Sequence, residues 1–346
     1  MATSGTVTYR ASANTIINGA LRLCLAIDPE NTAGPTTNQT SNGLEALNFL
    51  VKSWETEGLQ LWERKYGVIF PQQGQTTYVL GNPGPGGDNA CLSTPIGTGF
   101  VQTTAVNAVA SGNTSLNLTT ITNAATVYAT IGTPAITIAN GWNIGIQQTS
   151  GVMFWTTVSN VVGNVITLAS GPTIGSAAGA YVVAYQTQLV RPLRILDGFV
   201  RQTTRGNDVP CLIIPRENYN RFGVKTSAGT GIQLYYDPQE NTGHLYVYPT
   251  TQDVTQQLYI EFQSPIQDFA SATNDYDLPQ EWGEALKYNL AWRIAPEYGI
   301  PKERYDMIKE RALLTFSKLD AWDQEAASLY LQPSNWPYLA DNSSNK

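Results

Sequence analysis

Between Asp88 and Arg191 the chain carries no Asp, Glu, Lys or Arg, although the whole molecule holds 20 basic and 27 acidic side chains. A soluble domain spends about a quarter of its residues on charge. A run of this kind must therefore solvate itself with hydroxyl and amide groups, or be covered by partners. It divides the 346 residues into two charged flanks and an uncharged block. The flanks share one style, helix-rich with strands near the break, which predicts one charged domain interrupted by a different, uncharged one. Inside the block, β-branched runs bounded by Gly, Asn or Ser recur at 115–118, 135–139, 142–147, 154–158, 164–169 and 180–185. Short strands at this spacing predict an all-β sandwich or barrel, with Thr and Asn outside and Trp142, Phe154 and Trp155 within. Disordered segments lack this density of β-branched and aromatic residues.

The N-terminal flank opens on a predicted helix over 14–26, with Ile16, Ile17, Ala20, Leu21, Cys24 and Leu25 at helical spacing and Pro29 ending it. Asn42 followed by Glu45 has the form of a capping box, so a second helix is expected from there to Gly58, burying Leu44, Leu47, Leu50, Val51 and Trp54. Two runs, 66–70 and 76–80, separated by a Gly-containing turn, predict an antiparallel hairpin. The following Gly81-Asn-Pro-Gly-Pro-Gly-Gly-Asp88 reads as a linker. In the C-terminal flank, strands are expected at 194–202, 209–214, 232–237, 245–248 and 256–263, with a short helix at 216–222. Trp282, Leu286, Leu290 and Ile294 then fall at four-residue spacing after Leu278-Pro279. A last helix begins near Pro301 with Tyr305, Ile308, Ala312, Phe316 and Leu319 as its stripe. The fold class is thus α+β: a helical core with a small antiparallel β part, interrupted by an inserted all-β domain. The expected boundaries are 1–88, 89–190, 191–325 and an extended arm over 326–346. That arm displays Tyr330, Trp336 and Tyr338 without the means to build a core of its own.

Chemistry-bearing motifs are sparse. The formal charge of −7 argues against a surface that wraps nucleic acid, which needs a basic patch to release counterions. Cys24, Cys91 and Cys211 are far apart and are read as reduced thiols. The one histidine, His244, excludes a two-His metal site or a His-based triad within one chain. The Gly-rich stretch lacks the Lys-Ser/Thr ending of a phosphate loop. Glu55/Glu57 and Asp275/Asp277 are the available carboxylate pairs, and their places at helix ends favour capping and dipole roles. Met1–Arg10 is polar and no run of 18 apolar residues occurs; synthesis in a cytoplasm, with no membrane span, is expected. No cofactor, metal or catalytic group is expected. Tyr235, Tyr236, Tyr246, Tyr248, Tyr288 and Trp292 add rings of the kind enriched at protein interfaces.

The run Leu278-Pro-Gln-Glu-Trp-Gly-Glu-Ala-Leu-Lys-Tyr-Asn-Leu-Ala-Trp-Arg-Ile-Ala-Pro-Glu-Tyr-Gly299 resembles the C-terminal helix signature of the head-to-tail adaptors of short-tailed phages. The residues carrying that match are Leu278, Pro279, Trp282, Glu284, Ala285, Leu286, Tyr288, Asn289, Arg293, Pro296, Glu297, Tyr298 and Gly299. Support comes from 15–25, from Gly43-Leu-Glu-Ala-Leu-Asn-Phe-Leu50, and from Tyr235-Tyr-Asp-Pro238 followed by Leu245-Tyr-Val-Tyr-Pro249. The resemblance spans about residues 10–85 and 190–322 and leaves the uncharged block outside it.

The resemblance implies a structural virion protein at the head–tail junction. It would form a homo-oligomeric ring of twelve copies between the portal protein and the tail nozzle, retaining packaged double-stranded DNA that slides through without specific binding. The arm, through Tyr330, Trp336 and Tyr338, would reach into the portal. The resemblance says nothing of the uncharged block; because the flanks alone carry the match, the block is expected to project outward to meet a tail fibre, a neighbouring copy or the capsid. Two rival expectations stand beside it. One is a peptidoglycan hydrolase built on the carboxylate pairs. The other is a carbohydrate-binding tail module in the inserted domain, which needs Trp142 or Trp155 exposed.

Overall fold

A computed structural model describes residues 9–28, 30, 34–56, 63–81, 88–122, 135–203 and 206–322. The class is α+β. Its helices are α1 (Ala13–Leu23), α2 (Thr37–Trp54), a short α3 (Arg216–Asn220), α4 (Gly283–Ile294) and α5 (Lys302–Trp322).

Helices α1, α2 and α5 all pack on α4, whose buried Leu286, Leu290, Ala291 and Ile294 form one core with Ile17, Leu21, Leu47, Trp54, Trp282 and Ile308. The predicted α4 stripe is therefore the centre of the helical layer. A 3-10 turn, Gln280–Trp282, leads into α4, and Gly299 (φ 58°) stops the chain in the left-handed region that glycine enters without a Cβ clash. Helix α2 ends at Trp54, short of the expected Gly58, and α3 at Asn220, short of 222; two further ends have a cause in the capping geometry. Helix α1 stops at Leu23 because Leu25 adopts φ 56°, with the Ala26 amide donating to Leu21 O and the Leu25 amide to Arg22 O. That is a Schellman closure with leucine where glycine is usual. Helix α2 starts at Thr37, because Thr36 and Gln39 form the capping box in place of Asn42 and Glu45.

Two sheets form a sandwich. The first runs β11 (Asn207–Pro210), β10 (Arg194–Gln202), β15 (Gln257–Gln263), β1 (Arg64–Ile69) and β3 (Ala90–Leu92), all antiparallel. The second runs β12 (Leu212–Ile213), β13 (Gln233–Pro238), β14 (Gly243–Tyr248) and β2 (Thr77–Leu80), with β12 parallel to β13. Between them lie Ile69, Leu80, Val200, Leu234, Leu245, Leu258, Ile260 and Phe262. The expected hairpin of 66–70 with 76–80 does not form. Strand β1 already has β15 and β3 on its two edges, so β2 crosses to the other sheet and pairs with β14. The expected strand at 209–214 likewise splits into β11 and β12, one in each sheet.

A third sheet is drawn wholly from the charge-free run: β4 (Phe100–Thr104), β9 (Tyr181–Tyr185), β6 (Asn143–Gln147), β7 (Met153–Val162), β8 (Val165–Leu168) and β5 (Ser115–Asn117). Its two ends meet: the Val106 amide donates to Asn117 O at 2.8 Å and the Thr119 amide to Thr104 O at 3.0 Å. Closure makes it a six-stranded barrel filled by Val101, Leu116, Trp142, Ile144, Ile146, Ile166, Leu168 and Val182. The run at 135–139 contributes only an isolated bridge, Thr137 to Thr122, and not the expected strand.

Strand β9 is buried on both faces. Val182 and Ala184 point into the barrel, whereas Tyr181, Val183 and Tyr185 pack on Val68, Phe70, Cys91 and Tyr259 of the sandwich side. Phe70 lies 5.5, 5.8 and 5.7 Å, centroid to centroid, from Phe100, Trp155 and Tyr185. Trp155 therefore lies outside the barrel, against the expectation for it, because its position on β7 alternates to the face that meets Phe70. The polar contacts across this seam are uncharged. Buried Gln257 donates to Gln102 Oε1 and Tyr181 Oη, and the Gln72 amide bonds the backbone of Met153 in both directions. The absence of charge suits this burial, since ions enter such a seam only at a steep desolvation cost.

The chain enters and leaves the barrel side by side. Leu189 N donates to Ala90 O at 2.9 Å, and Gln188 Nε2 donates to Asp88 O.

Candidate functional site

The family-like residues on and around α4 divide into a buried and an exposed set. Leu278, Trp282, Ala285, Leu286 and Asn289 are buried. Trp282 meets Trp54 edge-on at 5.4 Å. The Asn289 amide donates to Ala285 O and Ala312 O, tying α4 to α5. Glu284 is exposed and paired with Arg311 at 3.1 Å, and the Arg311 and Lys287 cations both approach the Tyr288 ring. Pro296 and Glu297 are exposed at the helix end, Pro279 and Tyr298 are half-buried, and Gly299 supplies the stop. Arg293 is exposed and lies 5.9 Å over the Phe49 ring. Tyr330, Trp336 and Tyr338 fall outside the described residues.

Beside Arg293 opens a cleft of about 520 Å³ between α2, α4 and α5, walled by Leu50, Trp54, Trp292, Tyr305, Leu313 and Phe316. The Trp292 indole donates to Tyr305 Oη at 2.9 Å, fixing one wall. Large apolar side chains stand exposed at its margins and along α5: Phe49 at 55 %, Leu313 at 49 %, Met307 at 55 % and Trp322 at 65 %. Helix α5 spans 21 residues, yet only Ile308, Ala312 and Thr315 are buried. Exposed large apolar side chains beside such a cleft mark an interaction surface. Sequence reasoning passed over Phe49 and Leu313. Each lies off its helix's expected stripe, and a large apolar residue off the stripe was the available signal.

A second concavity, about 360 Å³, lies on the outer face of the four-stranded sheet. Strand register places Tyr235 opposite Tyr246, and Tyr246 opposite Thr77. The Tyr235 and Tyr246 rings stack at 5.3 Å and Tyr219 of α3 closes on Tyr246 at 5.1 Å. Burial, with Asp237 adding to it, pushes the Tyr235 phenol above its ordinary value, so it stays a hydrogen-bond donor. Arg216 and Lys225 stand at the edge. The Lys225 ammonium donates to Phe222 O and lies 5.3 Å over the Tyr219 ring.

The remaining candidates are placed singly. Glu55 accepts from Lys52 Nζ at 2.9 Å and from the Ile266 amide at 2.8 Å, so it clamps α2 to the segment before α4. Asp277 accepts from the Gln267 amide and Asp275 is exposed next to Ser12; Glu57 lies outside the described residues. His244 is half-exposed on β14 opposite Asp237. Among the described residues no group of His, Cys, Asp and Glu could hold a metal ion, and no helix is long and apolar enough to cross a membrane. Cys24 is buried with its thiol donating to Ala291 O, and burial pushes that thiol up to about 11. Trp142 is buried in the barrel and Trp155 packs on Phe70 and Tyr185, so neither offers the exposed ring a sugar platform in the barrel would require. No protein-family model matches this chain, and no curated protein matches it.

Proposed function

We propose that this chain is the subunit of a ring-forming head-to-tail adaptor of a short-tailed phage, joining portal to tail nozzle and retaining packaged DNA. The observation that carries this reading is the apolar cleft between α2, α4 and α5, with Phe49 and Leu313 exposed at its edge. It lies against α4, the helix whose sequence resembles the adaptor signature. A head-to-tail ring needs two different faces on each subunit, and such a cleft is suited to be one of them. In this reading the barrel faces a tail fibre, the capsid or a neighbouring copy on its free side, and the segment after Trp322 reaches the portal. The subunit number, taken from the resemblance, is twelve.

The test is sedimentation and electron microscopy of the full chain, alone and mixed with its portal, for the native protein and for Phe49→Glu with Leu313→Glu. Rings on the portal that fail to form in the double variant, with its melting temperature unchanged, are expected. A strictly monomeric native protein that ignores the portal would sink the reading.

A further inference from the structure

We propose that the tyrosine cleft on the outer face of the four-stranded sheet binds an acidic saccharide, a sugar ring that bears a carboxylate. This goes beyond the adaptor reading and does not depend on it. The cleft has the two halves such a ligand requires. Its wall is aromatic: Tyr219, Tyr235 and Tyr246 form one continuous cluster with centroid separations of 5.1 to 5.9 Å, and tyrosines offer apolar area for the C–H face of a pyranose together with a polar tip. Its rim is cationic in a protein of net charge −7. Neither Arg216 nor Lys225 takes part in a salt bridge among the described residues, whereas Arg201, Arg221 and Arg311 each do. A guanidinium left without a carboxylate beside a cleft is the donor fork that a ligand carboxylate fits in bidentate fashion.

The polar residues in the same cleft suit a ligand rich in hydroxyls. Asp237, Asn220 and the Thr76 and Thr77 hydroxyls lie alongside the rings. A carboxylate at that point accepts from sugar hydroxyls, while Arg216 and Lys225 on the rim meet the ligand's own carboxylate. The cations also stop at two, without the basic track that a nucleic-acid strand needs along its backbone. The volume, about 360 Å³, falls within the range of about 300–1,000 Å³ typical of small-molecule sites. The site is held from three directions, by the β13–β14–β2 register, by α3, and by the Lys225 ammonium that closes the α3 end through Phe222 O.

The experiment titrates the full chain with trigalacturonic acid by calorimetry and ligand-observed NMR, beside its methyl ester and an oligothymidylate. Trigalacturonate is expected to bind. The methyl ester should bind about tenfold more weakly, as should trigalacturonate to Arg216→Ala, whose exposed position leaves folding intact. Tyr246→Phe should retain binding, since the ring persists, and Tyr246→Ala, checked for an unchanged circular dichroism spectrum, should lose it. Absence of trigalacturonate binding at millimolar concentration, equal affinity for the ester, unchanged binding by Arg216→Ala, or tighter binding of the oligothymidylate at this cleft would each overturn the proposal.

Discussion

Phe70 carries the seam between the barrel and the sandwich, and Phe70→Ala tests whether that seam is a packed interior. The ring is 3 % exposed and touches Phe100, Trp155 and Tyr185, which belong to three different barrel strands. Deleting a buried phenylalanine ring costs about 3–5 kcal/mol when the surroundings cannot collapse. They cannot collapse here, because β9 and β1 are each fixed on both sides by strand partners. The loss should therefore fall near the upper end. It should also fall on docking, since the barrel's own core of Ile144, Ile166 and Val182 is untouched. Guanidinium denaturation followed by circular dichroism would measure the magnitude. Native-state hydrogen exchange would place it: amides of β4 and β9 should open earlier while those of β5 and β8 keep their protection. Phe70→Leu, which refills most of the volume, should lose less than about 1.5 kcal/mol. A loss below about 1 kcal/mol in Phe70→Ala, with unchanged exchange on β9, would refute the description of a rigidly packed seam.

Gly81 has φ 85°, and a Cβ there would sit 2.5 Å from the Arg191 Cα; Gly81→Ala should lower stability by about 1–3 kcal/mol, read from the denaturation midpoint. Asn289→Ala should cost about 1 kcal/mol and speed exchange in α5; the cost stays modest because Thr315 Oγ1 still donates to Ala312 O. Stability should fall in alkali: the Cys24 thiol rises from 9.0 to about 11 on folding through burial, so its contribution is complete below pH 9.0 and is lost as pH passes through about 11. Denaturation midpoints across that window should decline less steeply in Cys24→Ala than in the native protein.

The helical layer was legible because its signals are local. Trp282, Leu286, Leu290 and Ile294 repeat within a single helix, and burying that face fixes the neighbours. The start of α2 misled because Thr36/Gln39 and Asn42/Glu45 are both good capping pairs, and only the packing of the whole helix selects the first. Pairing failed where partners are remote in sequence. Nothing near Tyr66 indicates that β1 will choose Gln257–Gln263, some two hundred positions on. Strand β4 went unseen because Phe100 and Val101 are both buried, one on the seam and one in the barrel, which erases the alternation that identifies a half-buried strand. The cleft beside α4 rests on Phe49 and Leu313, which a search for buried stripes discards by design. The Tyr235 and Tyr246 rings stood out as aromatic excess, but their meeting with Arg216 and Lys225 depends on strand register and on α3, neither of which is written locally.

The adjoining entry and exit of the barrel have an evolutionary corollary. Since Ala90 and Leu189 are hydrogen-bonded neighbours, a short turn could replace everything between them with only the edge strand β3 lost from the sandwich, and a shorter cousin of this chain is geometrically reasonable. Such a cousin would nevertheless have to recode the ground the barrel stands on. Val68, Phe70, Val254 and Tyr259 would face water, and polar side chains at those places would be the footprint by which a lineage that never acquired the barrel, or has lost it, could be told from this one.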